Sequence, residues 1–136
     1  MKAKPLVLVV KAKPLVLVVE DEVFVRMVAV EIAEEADFDV ISVATADEAL
    51  VVLEGRVDVR VVFTDVQMPG TIDGLGLARS VHERWPPVGL IVTSGRGQVS
   101  QHDLPEGGRF LPKPYDAGTL KRALREIVGW VVPAGP

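Results

Sequence analysis

The sequence predicts an α/β fold: a doubly wound parallel sheet of five strands with helices on both faces. Short apolar, β-branched runs alternate with segments whose apolar residues recur at helical spacing, five of each. That alternation builds parallel strands joined by right-handed crossovers. The stretch Val61–Gly70, VVFTDVQMPG, is the most informative: three apolar residues run into Thr64 and Asp65, and Pro69-Gly70 closes it. It reads as a fully buried parallel strand with a carboxylate at its carboxyl end. In an open α/β sheet that end is where ligands bind.

A chain of 136 residues is one domain with room for a proper core. Charged residues make up 25% and the AVILMFWYC set 49%, which is a globular balance. The net charge of −4 argues against nucleic acid as a direct partner. There is no cysteine, so disulfides and thiolate metal sites are excluded and a cytoplasmic location is expected. No apolar run approaches the ~20 residues that span a bilayer, so no membrane is expected as a partner. The basic, apolar start is interrupted by Lys11, too soon for a secretory core of ~7–15 residues.

In chain order, an exact repeat comes first: Lys2–Val10 and Lys11–Val19 both read KAKPLVLVV. Two copies are too few for a solenoid and read as a local duplication. Only the second leads into Glu20-Asp21-Glu22, so Leu15–Val19 is expected as the first strand. Pro5–Val10 is a spare β-prone segment with no place in the middle of the sheet. Glu22–Ala36 is expected as a helix, with Val25, Val28, Ala29, Ile32 and Ala36 on one stripe. Val23, Met27 and Val30 form a second apolar stripe, which a surface helix does not need. Phe38–Ala44 is the second strand. Thr45 and Glu48 then form a capping box ahead of Ala46, Ala49, Leu50 and Leu53.

Val59–Asp65 is the third strand. Gly74, Leu77, Ala78, Val81 and Trp85 keep helical spacing until Pro86-Pro87. Val88–Thr93 is the fourth strand. Between Gly95 and Gly108 lie four glycines and Pro105, so the fourth helical segment, around Val99–Leu104, is expected to be short or irregular. Arg109–Leu111 is a short fifth strand. Leu120, Ala123, Leu124, Ile127, Val128 and Val131 pattern a final helix, and Pro133–Pro136 is a tail. His82 and His102 lack companions for a metal or catalytic set, and Trp85 and Trp130 fit helix-end packing.

Strand ends carry the chemistry. The first ends at Glu20-Asp21, the third at Asp65, the fourth at Thr93-Ser94, and Lys113 follows the fifth. A parallel sheet brings all these ends to one edge. Crowded carboxylates favour a hard cation with oxygen ligands, and Mg²⁺ suits such a set. An aspartate is a competent nucleophile toward phosphorus. Lys113 would offset charge on a phosphoryl group and the Thr93 hydroxyl would donate to it.

From about Leu15 to Trp130 the chain resembles the receiver domain of bacterial two-component response regulators. The matching pieces are VVEDE at 18–22, DVQMPG at 65–70, DG at 73–74, VTSG at 92–95 and LPKPY at 111–115. The resemblance implies a flavodoxin-like sheet in the order 2-1-3-4-5. It implies a receiver domain over 12–132, behind a duplicated extension at 1–11 and ahead of the tail. It implies Asp65 as phosphoacceptor, with Glu20, Asp21, Asp65 and the backbone carbonyl of Gln67 around Mg²⁺. Thr93 would be the switch hydroxyl, Phe110 the aromatic switch and Lys113 the phosphoryl-binding lysine, aimed by a cis bond to Pro114. The function implied is a stand-alone receiver in a phosphorelay. It would be phosphorylated by a sensor histidine kinase or a histidine phosphotransfer protein and would then switch binding to a downstream protein. It would catalyse only its own phosphorylation and dephosphorylation and would not be an enzyme on a separate substrate.

Three features depart from the family pattern. The loop Met68–Gly74 is one residue longer than usual, the fourth helical segment is weak, and the duplication is foreign to it. The alternative reading is a phosphorylation-independent adaptor with an inert site, forming a homodimer through Val23, Met27 and Val30 or the final helix. A haloacid-dehalogenase-like phosphatase would need an aspartate where Gln67 stands, and a flavodoxin would not put Glu20-Asp21-Glu22 against a phosphate.

Overall fold

The computed structural model describes residues 13–129 apart from 96 and 98. The first KAKPLVLVV copy, Trp130, Val131 and the tail from Pro133 lie outside the described residues. The elements run β1 (Leu15–Val19), α1 (Val23–Glu35), β2 (Asp39–Val43), α2 (Ala46–Gly55), β3 (Val59–Asp65), α3 (Gly74–Arg84), β4 (Gly89–Ser94), β5 (Arg109–Pro112) and α4 (Ala117–Ile127). The five strands form one sheet in the order β2-β1-β3-β4-β5, and every pairing is parallel.

β1 reads LVLVV because it sits inside the sheet with helices over both faces, and all five of its residues are buried. Alternate side chains enter opposite core layers. Leu15, Leu17 and Val19 join Val62 and Val92 under α2 and α3, against Leu53, Leu77 and Val81. Val16 and Val18 join Val61, Phe63 and Ile91 under α1 and α4, against Ile32, Leu120 and Leu124. Each fully buried Leu or Val contributes roughly 1.5–3 kcal/mol relative to exposure.

Three helices open on side-chain caps. Thr45 accepts from the Glu48 N–H at 3.1 Å, and the Glu48 carboxylate accepts from the Thr45 N–H in return. Asp73 accepts from the Gly76 N–H at 2.8 Å and Asp116 from the Thr119 N–H at 2.7 Å. Such caps satisfy amides that the first turn leaves without a helical partner.

The fourth helical segment is reduced to a single 3-10 turn, Gln101–Asp103. Glycines and Pro105 leave too short a run to propagate a helix. One side chain ties this turn to the sheet: Gln101 Nε2 donates to the Gly108 carbonyl at 2.6 Å and Gln101 Oε1 accepts from the Phe110 N–H at 2.9 Å. On α1, Ala29, Ile32 and Ala36 are buried as expected. Val28, placed on the same stripe, is instead 50% exposed, lining an open groove between α1 and the segment Lys113–Ala117. Val23, Met27 and Phe24 are exposed as well, Phe24 to 81%.

Candidate functional site

Strand register assembles the site. Val19 pairs with Thr64, so Glu20 and Asp65 emerge together at the carboxyl edge of β1 and β3. Asp65 pairs with Thr93 of β4, and Thr93 pairs with Leu111 of β5, two residues before Lys113. Residues far apart in sequence thus meet along one edge.

Lys113 Nζ donates to Asp65 Oδ2 at 2.5 Å and lies 3.8 Å from Glu20 Oε1. Asp65 Oδ1 accepts from the Gln67 N–H at 3.1 Å, and Glu20 Oε2 accepts from the Glu22 N–H at 3.1 Å. Glu20 and Asp65 are both buried, whereas Asp21 is exposed. Asp21, Gln67, Met68 and Asp73 line a shallow cleft beside Asp65. Lys113-Pro114 is a cis peptide.

Burial pushes the Glu20 carboxyl up to about 7, helped by Asp65 and Asp21 and opposed by the Glu22 N–H. Burial works against the charge on Lys113, but the hydrogen bond to Asp65 and the charges of Asp65, Glu20 and Glu22 outweigh it and raise its pKa. Tyr115 packs edge-on against Phe63, and burial together with Glu20 and Asp65 pushes its phenol up to about 12.

The structure therefore brings together Glu20, Asp65, Gln67 and Lys113. The Thr93 hydroxyl is buried and donates to the Leu111 carbonyl at 2.7 Å, so it is engaged with β5. Phe110 is half-buried. Leu111 enters the layer under α1 and α4, so Phe110 faces the other side of the sheet, where the shortened fourth segment gives it little cover. Among the described residues no three His, Cys, Asp or Glu side chains close on a metal-sized point. The donor chemistry nevertheless fits a hard cation: Glu20, Asp21 and Asp65 offer only oxygen, and the two buried carboxylates share a single ammonium.

One support, Arg26, was not singled out from the sequence, and a second, Gly74, entered only as part of the DG pair and the helical pattern. Arg26 reaches back from α1, its Nη1 donating to the Glu20 carbonyl at 2.8 Å. Its signal is a cation in the helix that follows the acidic residues. Gly74 lies where a Cβ would come within 1.9 Å of the Asp65 carbonyl oxygen, so only glycine lets α3 start under Asp65. Its signal is a glycine directly after the helix-capping Asp73. The longer loop between them is anchored to α2, with Thr71 Oγ1 donating to Asp47 Oδ1 at 2.7 Å.

A parallel five-stranded sheet of this order, with a buried aspartate held by a lysine at its carboxyl edge, defines a receiver-type α/β domain. The response regulator receiver domain family matches residues 16–125, and the chain belongs to that family. A curated relative, the hydrogenase transcriptional regulatory protein HoxA of Cupriavidus necator, is 40% identical over 100 residues. That match takes in 69% of this chain and 20% of HoxA, so the chain spans about a fifth of the length of that relative. Among solved structures, NtrX of Brucella abortus aligns with 86% of this chain and 27% of its own, at 26% identity and a TM-score of 0.78. A response regulator receiver protein of Sinorhizobium medicae aligns at 21% identity with a TM-score of 0.80, covering 86% of this chain and 95% of that one, and shares the fold. Among the described residues no helix is long and apolar enough to cross a membrane.

Proposed function

We propose that this receiver accepts a phosphoryl group from a phosphohistidine onto Asp65 and thereby changes which partner it binds. The observation that carries the reading is the Lys113–Asp65 contact at 2.5 Å beside the buried Glu20. A carboxylate oxygen of Asp65 attacks phosphorus, the phosphorus–nitrogen bond breaks, and the donor imidazole keeps the electron pair and takes up a proton. Lys113 offsets charge on the transferred oxygens, and the Gln67 N–H orients the free carboxylate. Glu20, Asp21, Asp65 and the Gln67 carbonyl would hold Mg²⁺, which when bound supplies positive charge to the phosphoryl oxygens. Thr93 would exchange the Leu111 carbonyl for a phosphoryl oxygen, and the half-buried Phe110 would turn inward as it does so.

The donor is a sensor histidine kinase or a histidine phosphotransfer protein. The exposed apolar turns of α1 lie beside Lys113, Pro114 and Tyr115 and offer it a surface. The domain acts on itself and not on a separate substrate. Incubation with a small phosphodonor and Mg²⁺ should add one phosphoryl group by intact mass. Asp65→Asn should abolish the adduct, and an adduct that survives it refutes the assignment.

A further inference from the structure

The duplicated segment repeats the whole sequence of the central strand. Leu15–Val19 is buried along its whole length between β2 and β3 and feeds both core layers. Lys2–Val10 repeats Lys11–Val19 without a change, so Leu6–Val10 offers the same side chains in the same alternation. Pro5 is likewise the counterpart of Pro14, whose carbonyl accepts from the Asp39 N–H at 3.0 Å. Packing cannot tell the two copies apart, since identical volumes fill identical space. Their downstream neighbours differ: Glu20 and Asp21 come after the second copy, Lys11 and Ala12 after the first.

We propose that the central strand has two registers, a major one with Leu15–Val19 in β1 and a minor one with Leu6–Val10 there, and that only the major one carries the acidic corner. In the minor register Lys11 takes the backbone position of Glu20, whose N–H donates to the Val43 carbonyl at 3.0 Å, and Ala12 takes that of Asp21. Asp65 then faces two lysines and no second carboxylate. The penalty falls on the link to α1. Residues 20–22 precede Val23 in the major register and residues 11–22 in the minor one, a fourfold longer connection. Closing it is disfavoured by roughly tenfold, a handicap that leaves the minor register accessible. A cation that binds only the acidic register pulls the balance toward it. The two registers stand independently of the phosphoryl-transfer reading; only this coupling to a cation rests on it.

Aspartate substitutions in the full chain test the proposal. Leu17 is fully buried, and Leu17→Asp puts an unpaired carboxylate into the core of the major register. The first copy is expected to take over, leaving a cooperative melt and the circular dichroism of the unchanged chain. Leu8→Asp alone should alter neither, and the double variant should not fold. A Leu17→Asp chain as unfolded as the double variant overturns the proposal. In limited elastase digestion read by intact mass, folded Leu17→Asp should be cut between residues 12 and 22. Protection of 15–19 in that variant, equal to the unchanged chain, also overturns it. Leu17→Asp should further lose any rise in melting temperature that Mg²⁺ gives the unchanged chain, and keeping that rise counts against the exchange. If the unchanged chain shows no rise, the cation reading has failed and the first two measurements alone decide the register.

Discussion

Glu20→Gln should make the metal-free domain more stable at neutral pH and leave it nearly unchanged in acid. Glu20 is 5% exposed, and burial holds its carboxyl at about 7 against an ordinary 4.5. Between those values the folded chain keeps a proton that the unfolded chain has released. Stability is therefore lost as pH rises through that window, and the full penalty stands above pH 7. The gap corresponds to about 3 kcal/mol. Glutamine keeps an oxygen for the Glu22 N–H and the same volume, but carries no charge. Urea unfolding with a chelator, at steps from pH 4.5 to 8, measures the difference between variant and parent. It should grow from near zero to about 3 kcal/mol, or roughly 10 °C in melting temperature for a domain of this size. A difference that does not change with pH, or a variant less stable than its parent at pH 8, refutes the reasoning.

Four further outcomes are expected. Gly74→Ala forces a Cβ against the backbone of Asp65 and Val66 and should cost about 3 kcal/mol or more in urea unfolding. Gly89→Ala first meets the Ile127 side chain, at 2.9 Å, and should cost about 1 kcal/mol; equal losses at the two sites would mean the α3 contact is soft. Thr45→Ala breaks a reciprocal cap and should cost about 1 kcal/mol. Millimolar Mg²⁺ should raise the melting temperature of the parent and raise that of Asp65→Asn much less, as scanning calorimetry would show.

The sheet was legible because its inner strands are buried on both faces, so LVLVV and VVF announce themselves as continuous apolar runs. The meeting of Glu20, Asp65 and Lys113 was legible because parallel strands must end together. Helix faces were harder to read. The 3.6 repeat groups Val28 with Ile32 but does not say which of them meets an open groove, and Val28 and Phe24 line one. The direction of the Thr93 hydroxyl was also out of reach. It depends on a carbonyl 18 residues away that no local pattern marks. The reason for Gly74 lay in a tertiary contact with Asp65, which a D-G pair only hints at.

The Gln101 clamp bears on how the far corner of the sheet opens. The short 3-10 turn is tied to the start of β5 by two bonds from one amide side chain, so their rupture frees the turn from the strand. The amide hydrogen of Phe110, which the clamp holds, should then exchange with deuterium far sooner than those of β1 and β3, through an opening that leaves the rest of the sheet closed. Whatever presses on that corner acts on the part of the molecule that yields first.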